Sequence, residues 1–154
     1  MSASKLSFSQ QLRKITKKQM SEVDGNICNI ARDLFHSIAD LTPVGKTEYL
    51  SASGRVWYNT PGELVNNWQP AVNYIKTKLQ AVPGPKREGI HKRIDTTIIN
   101  GSFKKDGFVS FTNITPYVNL AENVGWLPPR WSGRTGPYGM VKNSVAMILS
   151  KYGY

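Results

Sequence analysis

The chain has 154 residues, a length typical of one domain that can bury a core of its own. Twenty Lys and Arg against ten Asp and Glu give a formal charge of +10, which suits nucleic acid, an acidic protein or a membrane surface without identifying any of them. The single cysteine excludes an internal disulfide framework. No apolar run approaches the ~18 residues of a membrane span, and residues 1–5 lack the apolar core of a signal peptide.

The first predicted element is a long amphipathic helix over residues 8–40, ended by Thr42-Pro43 because proline disfavours helical geometry in the residue before it. Asp24-Gly25 is its weak point, since Gly costs ~1 kcal/mol in a helix interior. One long helix and a short helix followed by a main helix both remain open. The apolar stripe either faces the core alone or also contacts another subunit. Gln19 interrupts this stripe, which consists of Phe8, Leu12, Ile15, Val23, Ile27, Ile30, Leu34 and Ile38.

The middle of the chain reads as short strands, loops and one helix. Trp68 to Tyr74 is the predicted first strand, and the Pro- and Gly-rich residues 82–89 form a loop. Ile90 to Ile99 favours a short helix, although its β-branched end also suits a strand. Residues 104–107 predict a tight turn into a strand over Phe108–Thr112, where large and small residues alternate.

Two helices are predicted in the last third. Thr115 as N-cap and Pro116 at the first helical position begin a short one, with Tyr117, Leu120, Ala121 and Val124 on one face and Gly125 at its end. Apolar residues at helical spacing predict a closing helix from Met140 to Tyr152. The predicted fold class is therefore α+β: a long N-terminal helix packed on a small, mostly antiparallel sheet, with a C-terminal helix.

The loop 126–138 between these two helices predicts an assembly surface. Trp, Tyr and Arg dominate protein–protein hot spots, and proline limits the entropy lost when such a loop is immobilised. Two other interpretations stay open: the tryptophans could fold back over the core, or the loop could bind RNA by stacking. The predicted contact residues are Trp126, Arg130, Trp131, Arg134 and Tyr138.

No catalytic, cofactor or metal site is predicted, and the protein is not expected to be an enzyme. Gly45-Lys46-Thr47 lacks the upstream glycine of a phosphate-binding loop, a position held by Asp40. His36 and His91 have no Cys or acidic residue at metal-ligand spacing and read as ordinary surface residues. Cys28 reads as a small residue packed beside the apolar stripe.

The segment 113–141 carries a family resemblance. With Thr42-Pro43-Val44 and Trp68, it resembles the tail-completion (neck) proteins of tailed bacteriophages. The resemblance covers roughly residues 8–44, 62–72 and 108–145, with residues 45–61 as an apparent insertion and 126–138 as an extended loop. The residues of the structural motif are Trp68, Asn113, Pro116, Tyr117, Glu122, Gly125, Gly139 and Met140.

The resemblance implies a structural virion protein in a single domain over residues 1–154. Copies would form a ring at the head–tail junction or the top of the tail, join the connector to tail-tube or terminator proteins, and let DNA pass. Assembly would take place in the host cytoplasm, without a membrane. Tail-completion, terminator and neck roles are not separated. The alternative function is a basic nucleic-acid-binding module of a mobile element. Trp68 and Tyr117 are expected in the core, whereas Glu122 either pairs with an Arg of the next subunit or faces water.

Overall fold

The computed structural model describes residues 7–44, 48–50, 56–58, 62–78, 88–101, 107–116, 118–123 and 138–153. Helices and short antiparallel strands alternate along these ranges, and the predicted α+β class is confirmed. The elements are α1 (Phe8–Leu41), β1 (Glu48–Leu50), β2 (Val56–Tyr58), α2 (Glu63–Asn66), β3 (Gln69–Val72), α3 (Glu88–Asn100), β4 (Val109–Thr112), α4 (Val118–Asn123) and α5 (Met140–Lys151).

Helix α1 is one continuous helix, so Gly25 does not break it. Ser7 caps its first turn in a capping box: the Ser7 hydroxyl accepts from the Gln10 amide, and the Gln10 side chain accepts from the Ser7 amide. The helix ends at Leu41, as Thr42-Pro43 predicts, and the Thr42 hydroxyl donates to the Ile38 carbonyl at 2.6 Å. The cap at each end is therefore made by a short hydroxyl side chain of the chain itself.

The core lies against the C-terminal half of α1. Three aromatic rings from separate elements form a stack there: Phe35 of α1 lies 4.4 Å from Phe111 of β4, and Trp68 lies 5.0 Å from the other side of Phe111, as ring-centroid distances. This stack is how α1 packs on the sheet. The surrounding buried side chains are Ala31, Ile38, Ala39, Leu64, Val65, Ile90, Ile94, Ile98, Ala121, Tyr138 and Met140.

Strands β3 and β4 form an antiparallel pair in which Gln69 faces Thr112 and Val72 faces Val109. The predicted β4 is confirmed, but β3 is not the first strand, because β1 and β2 precede it as an antiparallel hairpin inside the apparent insertion 45–61. Strand β3 also ends at Val72 rather than Tyr74, since Asn73 adopts a left-handed φ of 67°. The helical prediction for residues 90–99 is confirmed by α3. The predicted turn at 104–107 lies almost wholly outside the described residues.

The start of α4 differs from the prediction. The helix begins at Val118, and Pro116 lies in the turn before it. The Thr115 hydroxyl donates to the Asn113 side-chain oxygen. The turn before α4 is closed by the Val118 amide, which donates to the Thr115 carbonyl at 3.0 Å.

Helix α5 is tied to α1 at its C-terminal end by one carboxylate. Asp33 accepts from Lys151 Nζ at 2.6 Å and from the Tyr152 hydroxyl at 2.8 Å. Further along the contact, the Ser37 hydroxyl donates to Ser144 at 2.9 Å. The bonds from Lys151 and then Tyr152 hold the pKa of Asp33 below its ordinary value of 3.8.

We expect Asp33→Asn to lower the free energy of unfolding by about 1 kcal/mol at neutral pH, a value kept small because Lys151 is solvent-exposed. Since the pKa of Asp33 is lowered by folding, its contribution is complete above the unfolded pKa near 3.8 and disappears as pH falls through the lower folded pKa. Chemical denaturation at several pH values measures this. The difference between parent and variant should vanish in strong acid, and a difference that grows on acidification would contradict the role given to Asp33.

Candidate assembly surface

Asn113 links the end of β4 to α2. Its amide group donates to the Leu64 carbonyl at 2.7 Å, and its side-chain oxygen accepts from the Thr115 amide at 3.0 Å. The side chain therefore fixes the path of the chain as it leaves the sheet toward α4. These contacts are architectural.

Glu122 caps the start of α5. Its carboxylate oxygens accept from the Val141 amide at 3.0 and 3.2 Å and from the Lys142 amide at 3.0 Å. The first amides of a helix have no partner within the helix, and the positive end of the helix dipole favours an anion there. The sequence did not suggest this partner within the chain itself, and the pairing of Glu122 with an Arg of the next subunit stays a prediction.

Gly139 makes this cap possible. Its φ of 57° is left-handed, and a Cβ added there would lie 2.8 Å from the Asn143 side-chain nitrogen. The next residue, Met140, is fully buried. The left-handed glycine lets the chain turn at the start of α5, directly before the buried Met140.

The two ends of segment 124–137 are held side by side. The Tyr138 amide donates to the Ala121 carbonyl at 2.9 Å, and the Gly139 amide donates to the Glu122 carbonyl at 3.1 Å. We call residues 113–123 and 138–143 the frame. Segment 124–137, which follows one part of the frame and precedes the other, lies outside the described residues and includes Gly125. It contains four of the five predicted contact residues: Trp126, Arg130, Trp131 and Arg134.

Tyr138 corrects the prediction for this loop. It is only 7% exposed and belongs to the hydrophobic core, so it cannot be a contact residue of an exposed surface. The reason is its position within the frame, where its amide donates to the Ala121 carbonyl of α4, two residues before the buried Met140. Trp68 is in the core as predicted, with its indole N–H donating to the Thr42 hydroxyl at 2.9 Å. Pro116 is exposed, and the Tyr117 prediction lies outside the described residues.

A second candidate surface is the N-terminal half of α1. Every described side chain from Ser7 to Val23 is exposed, so this part of the helix projects beyond the body as an arm of roughly 25 Å at 1.5 Å per residue. The predicted apolar stripe is thus divided between core and surface. Five of its members are exposed, by the fractions Phe8 80%, Leu12 53%, Ile15 55%, Val23 55% and Ile27 42%.

An open apolar groove of about 380 Å³ lies at the base of this arm. Its walls come from α1 on one side and from the start of β4 on the other. Ile27 belongs both to the groove and to the exposed stripe, so the two apolar surfaces are continuous. The lining residues are Ile27, Ile30, Ala31, Leu34, Phe35, Phe108 and Val109.

The two histidines form a pair that sequence spacing did not reveal. The rings of His36 and His91 stack with centroids 4.4 Å apart, and His36 Nε2 bonds to Asp95 at 2.8 Å. Asp40 lies 2.7 Å from His91 Nε2, but off the direction of a ring hydrogen bond. Both rings are half-buried, which corrects the prediction of ordinary surface placement. The partners come together because α1 packs along α3, and they are too distant in sequence for a motif to show it.

Chemistry at the other titratable groups is limited. Burial, and then the charge of Asp24, raise the pKa of the Cys28 thiol, which keeps it in the unreactive protonated form. Among the described residues, no three His, Cys, Asp or Glu side chains are grouped so as to hold a metal ion. The described helices include none that is long and apolar enough to cross a membrane.

Comparisons with protein-family models, curated proteins and solved structures found no match for this chain.

Proposed function

We propose that this protein is a structural subunit of a tailed-phage virion, which forms a ring at the head–tail junction or the top of the tail. The observation that carries the proposal is the frame. Four of the eight residues on which the phage resemblance depends, Asn113, Glu122, Gly139 and Met140, hold backbone and helix ends in place.

The frame supports an assembly role because of what it carries. It fixes both ends of a segment that contains two Trp and two Arg, the residue types that anchor protein interfaces. Hydrogen bonds within the frame hold those ends at a set spacing before any partner binds, so less entropy is lost on association. In a ring the same contact recurs between each neighbouring pair of subunits.

A second candidate function is a basic nucleic-acid-binding module. The observation that favours it is the exposed arm, which carries Arg13, Lys14, Lys17 and Lys18. Such a module would bind DNA as a monomer or dimer, with an affinity that falls steeply as salt rises. A ring subunit would show weak salt-dependent affinity at most.

The two functions are separated by measuring mass and DNA binding on the same preparation. Light scattering and negative-stain imaging detect a closed ring, and titration of duplex DNA at several salt concentrations gives the salt slope. A discrete ring of one stoichiometry with a shallow slope supports the virion role. A monomer or dimer with a slope that corresponds to several phosphate contacts supports the nucleic-acid module and overturns the ring.

For the contact segment, we expect the double variant Trp131→Ala with Arg134→Ala to melt as the parent does and to fail to enter rings or tails. Loss of two hot-spot side chains removes about 2 kcal/mol or more from each subunit contact. The matched control is Lys92→Ala with Ile99→Ala, which removes an exposed cation and an exposed apolar side chain from α3. Unimpaired incorporation of the Trp131/Arg134 variant would show that the segment is not the interface, and collapsed folding would place the two residues in the core.

A further inference from the structure

We propose that the α1 arms of two copies of this chain pair side by side in antiparallel orientation, with Gln19 at the centre and Phe8 of each copy in the groove at the base of the other arm. The proposal concerns self-association through α1 alone. It goes beyond the proposed ring and does not depend on it.

The apolar stripe of the arm is the first reason. A helix of this length is marginal in water unless it buries one face, and the arm leaves its whole stripe exposed. The described part of the same subunit leaves that stripe exposed. Because the stripe runs without interruption into the groove through Ile27, a helical partner of similar length can cover both surfaces at once.

The spacing of the stripe fits a second copy. Phe8 and Ile30 are equidistant from Gln19 along the helix, and so are Ile15 and Val23. An antiparallel pair centred on Gln19 therefore places Ile15 against Val23 in both halves and brings each Phe8 to the groove beside Ile30. The two Gln19 amides meet at the twofold axis, where a polar pair fixes the register.

The charges of the arm select the orientation. Its basic residues come first and its acidic residues, Glu22 and Asp24, come after. Helical spacing of 100° per residue puts Glu22 about 60° and Lys18 about 100° from Gln19 on the same flank of the stripe, whereas Arg13 and Asp24 lie more than about 100° away on the other side. Antiparallel pairing about Gln19 thus sets Lys18 of each copy close to Glu22 of the other. Parallel pairing would instead put the Lys18 of one copy and the Glu22 of the other on opposite sides of the seam.

The outward face of α5 is a poorer occupant for the arm. It also exposes apolar side chains, such as Val145 and Leu149, but its charged residues are Lys142 and Lys151 and it has no acidic residue. A basic arm on that face would be repelled. The mixed charge order of the arm also fits a copy of itself better than uniformly anionic DNA.

The first test is a charge reversal with rescue, read by sedimentation over a range of protein concentrations. We expect a concentration-dependent dimer in the parent. Lys18→Glu and Glu22→Lys should each raise the dimer Kd about tenfold, and the double variant should recover most of that loss because the pair is restored in swapped form. Lys17→Glu is the matched control: it makes the same charge change on the far face of the helix and should leave the Kd within about threefold. Equal losses for Lys18→Glu and Lys17→Glu, or a double variant weaker than either single one, would overturn the antiparallel register.

The second test does not depend on the size of any larger assembly. With Cys28 replaced by Ser, chains carrying Ile15→Cys and chains carrying Val23→Cys are mixed and oxidised mildly, and the products are separated under denaturing conditions. Antiparallel pairing predicts a mixed disulfide between the two chain types as the main product. An excess of disulfides between two chains of the same variant indicates parallel pairing. Absence of cross-linking at protein concentrations up to about 0.1 mM shows that the arms do not pair. Either result overturns the proposal. If rings form but the mixed disulfide does not, the proposed ring function stands and the arm pairing fails. If the mixed disulfide forms but rings do not, the arm pairing stands and the ring function fails.

Discussion

Replacing Trp68 by Ala is expected to lower the free energy of unfolding by about 3–5 kcal/mol, the usual result of truncating a buried aromatic side chain. The indole is only 4% exposed, stacks on Phe111 and donates a hydrogen bond to the buried Thr42 hydroxyl. Its removal opens a cavity between α1 and the sheet and takes a donor from the residue that ends α1. Denaturant unfolding followed by circular dichroism measures the loss, which is a large share of a small domain's stability.

Trp68→Phe is the control that separates packing from the hydrogen bond. It keeps an aromatic ring in the stack but loses the indole donor and the volume of the second ring, so we expect a loss of about 1–2 kcal/mol. If Trp68→Ala melts within a degree or two of the parent, the core does not depend on the aromatic stack. Equal losses for the two variants would show that the retained ring contributes nothing, and would assign the effect to the indole donor and the second ring.

Replacing Glu122 by Ala is expected to cost about 1–2 kcal/mol, because the amides of Val141 and Lys142 lose their acceptor and the start of α5 loses a favourable charge. The variant should also loosen the frame, so that assembly fails under conditions where the fold survives. Thermal melting and ring formation are measured on the same sample.

Glu122→Gln is the matched variant for this effect. It keeps an acceptor oxygen of similar reach and removes the charge, and it should lose about half as much stability as Glu122→Ala. Loss of assembly with Glu122→Ala at an unchanged melting temperature would place Glu122 in a subunit contact rather than at the helix cap.

The helices were predictable because their signal is local. The three-and-four spacing of apolar residues predicted α1, α3 and α5, and Thr42-Pro43 marked the end of α1 within a residue. The β4 strand was likewise predictable from its alternation. The predicted helix start at Pro116 is two residues early, since α4 begins at Val118. The side-chain bond from the Thr115 hydroxyl to Asn113 in this turn leaves no periodic trace in the sequence.

The predictions that failed concern contacts between residues that are distant in sequence. The rings of His36 and His91 are in contact because α1 and α3 pack along each other. Tyr138 is buried because the hydrogen bonds of the frame hold it in the core. The sequence did not indicate that Glu122 would cap α5, since nineteen positions separate it from Val141. The stripe of α1 was visible in the sequence, but periodicity alone cannot tell a face that meets the core from one that projects past it.

Gly25 lies at the boundary between the arm and the body of α1, and a Cβ added there would meet nothing within 4 Å. Packing therefore does not require a glycine at this position, whereas its low helix propensity weakens the backbone by ~1 kcal/mol relative to Ala. The consequence is a helix with two levels of cooperativity. Residues beyond Gly25 are held by the global stability of the core, while those before it can unwind locally at little cost and rewind when their apolar face is covered. If the arms pair as proposed, the helical content of the arm depends on protein concentration as well as on sequence.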